Sequence, residues 1–455
     1  MANFIETTKN IFRIEELRKR IVFTVLMLIV VRIGAHVSLP GIDVQALQSS
    51  NASGDANGLF GLYDMFVGGA FSNAAVFAMG IMPYISASIV LQLAAVFVPQ
   101  IARMQKEGEE GRRRITQWTR FLTVGIAALQ AIGLSIKLNA QTAADTAKVV
   151  MIDGPLFTLT AVTLLTAGTM FLMWIGEQIT ERGLGNGISL IIFIGIISRL
   201  PVAVQNEILM IGSGRNIAVD IILLAFLGVI IASVVLITQG ARRIPVQYAK
   251  RVEGRKQYGG HTTYIPLRVN TAGVMPIIFA SAILFIPSTI SSFFPENTSL
   301  LKVAQLFSDR SIVYAIVYGL AIVFFTYFYT AIAFNPRQTA EELKRAQGFI
   351  PGVRPGQPTA EYFDHILTRI TLPGAIFLAI IALLPVFVTN VLNVPYSFGQ
   401  FFGGTSLLII VGVALDTLQQ IESYLLMRHY DGFMKSGKIQ GRGMASNQQR
   451  VGSGF

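Results

Sequence analysis

Long apolar segments recur along the chain, separated by shorter polar ones. A helix needs roughly 20 apolar residues to cross the ~30 Å hydrocarbon core of a bilayer. Ten segments approach that length, which predicts ten membrane-spanning helices. The segments lie near residues 21–39, 74–98, 119–138, 156–176, 186–204, 217–238, 271–293, 311–333, 371–391 and 404–426. The first is longer than the apolar region of a signal peptide, so we expect it to be retained.

Lysine and arginine concentrate in alternate loops between these segments. The N-terminus, four alternate loops and the C-terminal tail hold 29 of the 36 basic residues, whereas the opposite loops hold six. Such loops face the cytoplasm in membrane proteins. The alternation therefore predicts ten spans with both termini cytoplasmic. The expected parts are an N-terminal amphipathic segment, two halves and a tail, at residues 1–20, 21–204, 217–426 and 427–455.

Composition agrees with a membrane protein and excludes several kinds of chemistry. Only 13% of the 455 residues are charged, 53% are apolar, and mean hydropathy is +0.58, whereas soluble domains carry about 25% charged residues. The chain has no cysteine and four histidines, so neither a disulfide nor a metal cluster is expected. We find no phosphate-binding Gly-Lys-Ser/Thr loop and no zinc-protease motif. No cofactor and no enzymatic activity are therefore predicted.

An apolar motif occurs twice, five predicted spans apart. Residues 78–88 read AMGIMPYISAS, and residues 271–281 read TAGVMPIIFAS, with six identities. An odd separation makes the two copies cross the membrane in opposite directions, as in an inverted-topology repeat. Proline kinks a helix interior, so we expect kinked spans at Pro83 and Pro276. These segments are either closely packed helices or the facing walls of a central pathway.

A further apolar stretch is too short to cross the membrane. Residues 59–73, LFGLYDMFVGGAFSN, precede the second predicted span and suggest a half-helix ending at Gly68–Gly69. Non-helical backbone at membrane depth is tolerated only inside protein or beside a cavity. The segment is therefore either a stopper inside a pathway or a half-helix at the membrane surface.

Several longer motifs resemble the SecY family, whose members form the channel of the bacterial protein translocon. The motifs are GIMPYISASIVLQL (80–93), GEQITERGLGNGISLII (176–192), RRIPVQYAKR (242–251), NTAGVMPIIFAS (270–281) and GFIPGVRPGQPTA (348–360). They occur in the family's order across nearly the whole chain. The resemblance implies an all-α polytopic membrane protein, with ten transmembrane helices in two inverted five-helix halves around a central pore.

The resemblance also assigns roles to positions in this sequence. Six isoleucines match an apolar mid-membrane constriction, called here the isoleucine ring: Ile81, Ile85, Ile188, Ile192, Ile278 and Ile409. Residues 60–71 match the family's plug, called here the plug segment, with candidate residues Leu62, Tyr63, Met65, Phe66, Gly68 and Gly69. A lateral gate toward lipid lies between spans 2–3 and 7–8, with candidate residues Pro83, Ser86, Gln92, Pro276 and Phe279.

The basic loops 239–270 and 334–370 are too long to be simple connectors. The resemblance implies that they dock the motor ATPase SecA or a ribosome, and basic side chains suit contacts to RNA phosphates. The candidate docking residues are Arg242, Arg243, Lys250, Arg251, Arg255, Lys256 and Arg354. It further implies SecE and SecG as permanent partners, signal sequences and nascent polypeptides as cargo, contact with lipids, and residence in the bacterial cell membrane.

Three classes of function can be compared on these grounds. An ion-coupled secondary transporter is compatible with inverted repeats, but such proteins need carboxylates or histidines within the bilayer. Here Arg32 and Asp416 are the main charged residues within spans. A membrane enzyme lacks a catalytic constellation. We therefore expect a passive protein-conducting channel, driven by a partner, that translocates secretory chains and releases transmembrane segments sideways into lipid.

Overall fold

Helices make up most of the computed structural model, which describes residues 14–47, 59–140, 149–151, 154–212, 217–248, 251–253, 256–258, 262–271, 273–293, 311–392, 394 and 396–436. The first half contains α1 (Glu15–Gly34), α2 (Leu59–Phe66), α3 (Met82–Phe97), α4 (Pro99–Lys106), α5 (Glu109–Ala140), α6 (Pro155–Arg182) and α7 (Gly187–Gly212). The second half contains α8 (Ile217–Gln239), α9 (Met275–Phe293), α10 (Ile312–Ala333), α11 (Pro336–Arg345), α12 (Gln357–Leu392), α13 (Tyr396–Gly399) and α14 (Gly404–Ser436).

Among the described residues, seven helical segments are long and apolar enough to cross a membrane. An eighth candidate is α3 together with α4, which are bent by 108° at the break between them. The two remaining predicted segments correspond to α1, which is rich in charge at its start, and to α9. The prediction of a helical membrane protein is confirmed, and the exact number of ten spans stays a prediction.

The two copies of the repeated motif share one local backbone, and it is not the predicted kink. Gly80 and Gly273 both have positive φ, +55° and +61°, which glycine adopts without steric cost. Each is followed two residues later by the first residue of a helix, Met82 or Met275. Pro83 and Pro276 therefore lie in the first helical turn, where proline removes no intrahelical hydrogen bond. The prediction that they kink their helices was wrong.

The start of the second predicted span was also wrong. Residues 67–81 form turns rather than helix, and the span near 74–98 begins only at Met82. Its sharp bend lies at the other end, where Val98 is extended and Pro99 begins α4. A residue before proline is driven away from helical conformation, so the bend follows from the Val-Pro pair.

A small sheet adds to the predicted helices. Strand β1 (Ala241–Tyr248) pairs antiparallel with β4 (Thr262–Arg268) and with β5 (Gly348–Phe349), giving the order β4-β1-β5. A separate hairpin joins β2 (Arg251–Glu253) to β3 (Lys256–Tyr258). The sheet thus connects the basic loops 239–270 and 334–370, which lie far apart in sequence.

These two loops share a hydrophobic core, and we call the unit the basic lobe (241–268 and 336–370). Alternate residues of β1, Ile244 and Val246, are buried, while their neighbours are exposed. They pack with Phe363 and Leu367 of α12 and with Leu343 of α11. Alternation along β1 and a buried stripe on α12 therefore hold the lobe together.

Candidate functional site

The largest core cluster contains side chains from both halves of the chain, including five of the six predicted ring residues. Ile81, Ile85, Ile192, Ile278 and Ile409 are at most 8% exposed. Ile81 precedes α3 by one residue, and its carbonyl accepts the Ile85 N–H at 3.1 Å, so these two side chains lie one helical turn apart. Ile192 belongs to α7, Ile278 to α9 and Ile409 to α14.

These five isoleucines line one small cavity. The volume open to the centres of water molecules is about 20 Å³, which is room for about one water. A ring of apolar side chains around so small a space excludes hydrated ions. The lining residues are Phe66, Val67, Ile81, Met82, Ile85, Ile192, Ile278, Ser281 and Ile409.

Ile188, the sixth predicted member, lies outside this lining. It is half-buried on α7, one turn before Ile192, and packs close to Gly176 of α6. A side chain one turn further along the helix lies about 5 Å away along its axis. The structure therefore brings five predicted ring residues together and places Ile188 at the edge of the group.

The plug segment lies directly against the cavity. Its helix, α2, ends at Phe66, and Phe66 and Val67 contribute to the cavity lining. Gly68 and Gly69 then have φ of +68° and +90°, a conformation that turns the chain back at no steric cost to glycine. The structure has a short helix in the predicted place, and it ends at Phe66, two residues before the predicted end at Gly68–Gly69. Leu62 and Tyr63 lie within α2, and Met65 is buried in the main core.

Polar side chains stabilise the turn after α2, and the sequence motifs did not point to them. Arg199 of α7 forms an ion pair with Asp64 and donates a 2.7 Å hydrogen bond to Ser72 Oγ. The Ser72 N–H in turn donates to Asp64 Oδ1 at 2.8 Å. Arg32 of α1 donates to the Gly68 carbonyl at 3.0 Å. The one acidic residue within 59–73 and the arginine inside the first span were the available signals.

Helix α7 also approaches the plug segment through a glycine. A β-carbon added at Gly195 would lie 2.4 Å from the Phe66 carbonyl oxygen, well inside van der Waals contact. Backbone and helix thus meet without an intervening side chain. The close approach places Arg199, four residues further along α7, next to Asp64.

The predicted gate residues belong to α3 and α9, two helices that pack against each other. Gln92 donates to Ser88 Oγ at 3.1 Å within α3, and Ser281 Oγ donates to the Ile278 carbonyl within α9. These polar groups are therefore paired within their own helices. Phe279 is buried and makes edge contacts with Phe325 and Tyr329 of α10. Pro83 and Pro276 are buried, and Ser86 is half-buried.

Polar contacts connect the two halves elsewhere, where α14 lies close to α1 and to the connection between α6 and α7. The Gly185 N–H, between α6 and α7, donates to Gln420 Oε1 of α14 at 2.8 Å. Arg20 of α1 donates to the Gly183 carbonyl and lies 5.1 Å from the centre of the Tyr424 ring on α14, within the range of a cation–π contact. One connection between the halves is thus polar, whereas the α3–α9 seam brings apolar side chains together.

Arg354 occupies an exposed turn of the basic lobe. It lies between Gly352 and Gly356, whose φ values are +85° and +106°. The Arg354 carbonyl accepts the Thr359 hydroxyl at 2.8 Å, which fixes the backbone while leaving the guanidinium exposed. Arg242 and Arg243 are exposed on β1. Arg251 and Lys256 belong to the short hairpin, and Lys250 and Arg255 lie outside the described residues.

The fold and site thus define a helical membrane protein in which side chains from both halves of the chain meet at an apolar constriction beside the short helix α2. A family model described as SecY matches residues 75–418. A protein translocase subunit SecY of Thermotoga maritima is 45% identical over 442 residues, covering 95% of this chain and 99% of that protein. The subunit of the same name from Escherichia coli K12 is 43% identical over 432 residues, covering 94% and 96%.

Solved structures show the same fold at much lower identity. One described as a protein conducting channel aligns with a TM-score of 0.63 at 17% identity, covering 92% of this chain and 95% of that chain. Another, Sec61 in a canine ribosome-channel complex, aligns with a TM-score of 0.59 at 16% identity, covering 92% and 95%. The family match and the relatives are decisive: this chain belongs to the SecY family.

Gly195→Val is expected to unseat the plug segment, because its side chain needs the space that the Phe66 carbonyl occupies. We expect the resting conductance of the membrane-reconstituted protein to rise several-fold. Gly125→Val on α5 is the matched control, because a β-carbon there meets nothing within 4 Å. Equal conductance in the two variants would show that the close approach of α7 does not hold the plug segment.

Proposed function

We propose that this chain is the channel-forming subunit of a protein translocase in the bacterial cell membrane, with both termini in the cytoplasm. Secretory polypeptides pass through the isoleucine ring, and transmembrane segments leave sideways into lipid. The plug segment occupies the resting channel. Ten spans in two inverted halves are part of the proposal. The matching helix starts after Gly80 and Gly273 support the inverted repeat.

The cavity between the halves is the single observation that carries this proposal. Five isoleucines from four places in the chain converge on a space for about one water, and Phe66 and Val67 lie beside it. Apolar side chains offer no fixed binding chemistry, so such a constriction can close around many sequences. It also repels hydrated ions when no chain is present. A ligand site for one small molecule would instead need convergent polar groups.

Lateral release is supported by the unequal connections between the halves. The seam of α9 with α3 and α5 brings together apolar faces whose serine and glutamine side chains bond within their own helices. The connection at Gly185 and Gln420 is polar. Apolar helix faces lose little when lipid tails replace their neighbours. We therefore propose that the halves separate at the seam of α9 with α3 and α5 and pivot about the connection at Gly185 and Gln420. The candidate gate residues belong to α3 and α9: Pro83, Ser86, Gln92, Pro276 and Phe279.

The basic lobe is the proposed docking surface for SecA or a translating ribosome. Its exposed arginines, Arg242, Arg243 and Arg354, have the charge that acidic protein surfaces or RNA phosphates attract. The sheet joins both loops into one body, so a partner pressing on the Arg354 turn acts on α11 and α12 together. SecE and SecG are the proposed membrane partners, and neither a cofactor nor an enzymatic activity is proposed.

Reconstitution into sealed vesicles tests the proposal against the transporter alternative. Vesicles holding this chain with SecE and SecG are given SecA, ATP and a secretory precursor, and protease protection of the precursor is measured. We expect protected precursor only when ATP is present, and retention of entrapped small solutes at rest. Solute uptake driven by an ion gradient, without protected precursor, would contradict the channel and favour a secondary transporter.

A further inference from the structure

The plug segment is bound very differently by the two halves. On the side of the N-terminal half, Asp64 pairs with Arg199, and Ser72 Oγ accepts a hydrogen bond from the same guanidinium. Arg32 of α1 holds the Gly68 carbonyl. All of these partners belong to the first half of the chain.

Toward the C-terminal half the described contacts are weak by comparison. Ser406 of α14 lies 3.4 Å from the Met65 sulfur, and a thioether is a poor hydrogen-bond acceptor. Phe66 and Val67 meet Ile278 and Ile409 around the cavity. Contacts of this kind are non-directional and can be replaced by another apolar surface, including that of a passing polypeptide.

We propose that Arg199 and Asp64 are positioning residues that latch the plug segment to the N-terminal half. Parting of the halves alone then leaves the plug segment in place on α7. The plug segment leaves the pathway only when the Arg199–Asp64 pair breaks. Opening of the channel therefore has two steps, separation of the halves and then release of the plug segment. This inference rests on the proposed function of residues 60–71 as a plug.

The arrangement around the pair explains why it can act as a latch. Asp64 is nearly enclosed, with 14% of its side chain exposed, and Arg199 is 30% exposed. Losing one partner of such a pair leaves the other charge partly buried without compensation, and this is strongly unfavourable. Asp64 also caps the Ser72 N–H, so the ion pair and the turn at Gly68–Gly69 stabilise each other. Water can hydrate the separated Asp64 and Arg199 side chains once the plug segment has moved away from α7.

A single thiol at the plug segment reports whether the latch is closed. The chain has no cysteine, so Val67→Cys provides one reactive group beside the cavity. The complete translocase in membrane vesicles is treated with a membrane-impermeant maleimide on the face opposite the cytoplasm. The labelling rate is compared at rest and with a stalled secretory chain. Asp64→Asn, Arg199→Met and the two together are then introduced into the Val67→Cys chain.

We expect slow labelling at rest and fast labelling with the stalled chain. Each single substitution should raise the resting rate about tenfold, because hydrogen bonds to charged groups are worth about a factor of ten or more. The double substitution should label no faster than Arg199→Met alone, because that single change already removes the Arg199–Asp64 pair. Asp43→Asn is the matched control, since that carboxylate caps Gln45 and Ala46 instead, and it should leave the rate unchanged.

Three results overturn the latch: the first two refute only the Arg199–Asp64 latch, and the third refutes the plug as well. If the stalled chain exposes the thiol but Asp64→Asn and Arg199→Met label as slowly as the parent, the plug remains and the latch is refuted. Additive effects in the double substitution refute the pairing in the same way. If labelling is equally fast with and without the stalled chain, residues 60–71 are not a plug and the latch falls with it.

Discussion

Ile278→Asn opens the resting channel. Ile278 is 8% exposed and lines the cavity with four other isoleucines. Asparagine removes about 1.5–3 kcal/mol of apolar burial and places an amide where a partner is needed, costing about another 1–3 kcal/mol in the closed state. We expect resting ion conductance to rise at least tenfold, and precursors with defective signal sequences to be exported.

The control for this variant keeps the position apolar. Ile278→Leu conserves volume, and such exchanges usually cost less than about 1.5 kcal/mol. The Ile278→Leu variant should still exclude ions at rest and still reject precursors with defective signal sequences. If Ile278→Asn also leaves both properties at the parental level, Ile278 is not part of the seal, and the isoleucine ring must be placed elsewhere.

Arg354→Glu abolishes motor-driven transport. Arg354 is exposed between two positive-φ glycines, and its backbone is fixed by Thr359. Reversing its charge should therefore leave the lobe folded while replacing attraction to a partner by repulsion, which costs several kcal/mol at an interface. We expect ATP-driven export to fall by at least a hundredfold, with normal amounts of inserted protein. The rate of export is measured as the amount of precursor that becomes protected from protease inside vesicles over time.

Arg337→Glu is the charge-matched control in the same lobe. Arg337 is exposed in the first turn of α11, where an acidic residue is favourable to the helix dipole. The variant makes the same change in net charge without altering the Arg354 turn. Export at the parental rate in Arg354→Glu would refute its docking role. An equal loss in both variants would show that overall lobe charge, rather than Arg354, is what the partner requires.

The isoleucine ring could be predicted from the family resemblance but not from the local sequence pattern. Ile81 with Ile85 and Ile188 with Ile192 have the spacing of one helical turn, but any isoleucine in a membrane helix is ordinarily a packing residue. Only the family resemblance singled out these positions. The structure brings five of them to one cavity. It leaves Ile188 outside that lining, packed close to Gly176.

The repeated proline motif shows where local patterns mislead. Proline in an apolar run suggested a kink, yet Gly80 and Gly273 precede each helix start and turn the chain. A glycine three residues before a proline is equally compatible with a first helical turn, and only the surrounding fold selects between a kink and a helix start. The sequence likewise carried little sign of the strands of the basic lobe, because Pro245 and Pro266 occupy exposed positions of the alternation and proline is unfavourable within strands.

The fastening of the plug segment could not be predicted from the sequence. Asp64 and Arg199 are 135 residues apart, and nothing in the local pattern of either position points to the other. In the sequence, Arg199 is only one of the six basic residues in the loops that alternate with the strongly basic ones. Its pairing depends on the close approach of Gly195 to Phe66, which is a property of the assembled helices.

The proposed passage of polypeptide through the isoleucine ring can be measured directly, because the chain has no cysteine of its own. Ile278→Cys is combined with a secretory chain that carries one cysteine and is stalled partway, in the presence of SecA and ATP. Ile283→Cys, on the exposed face of the same helix, is the control. The account predicts a disulfide at position 278 that depends on the cysteine's place in the cargo and on ATP. Disulfides at position 283 alone would place the cargo outside the ring and contradict it.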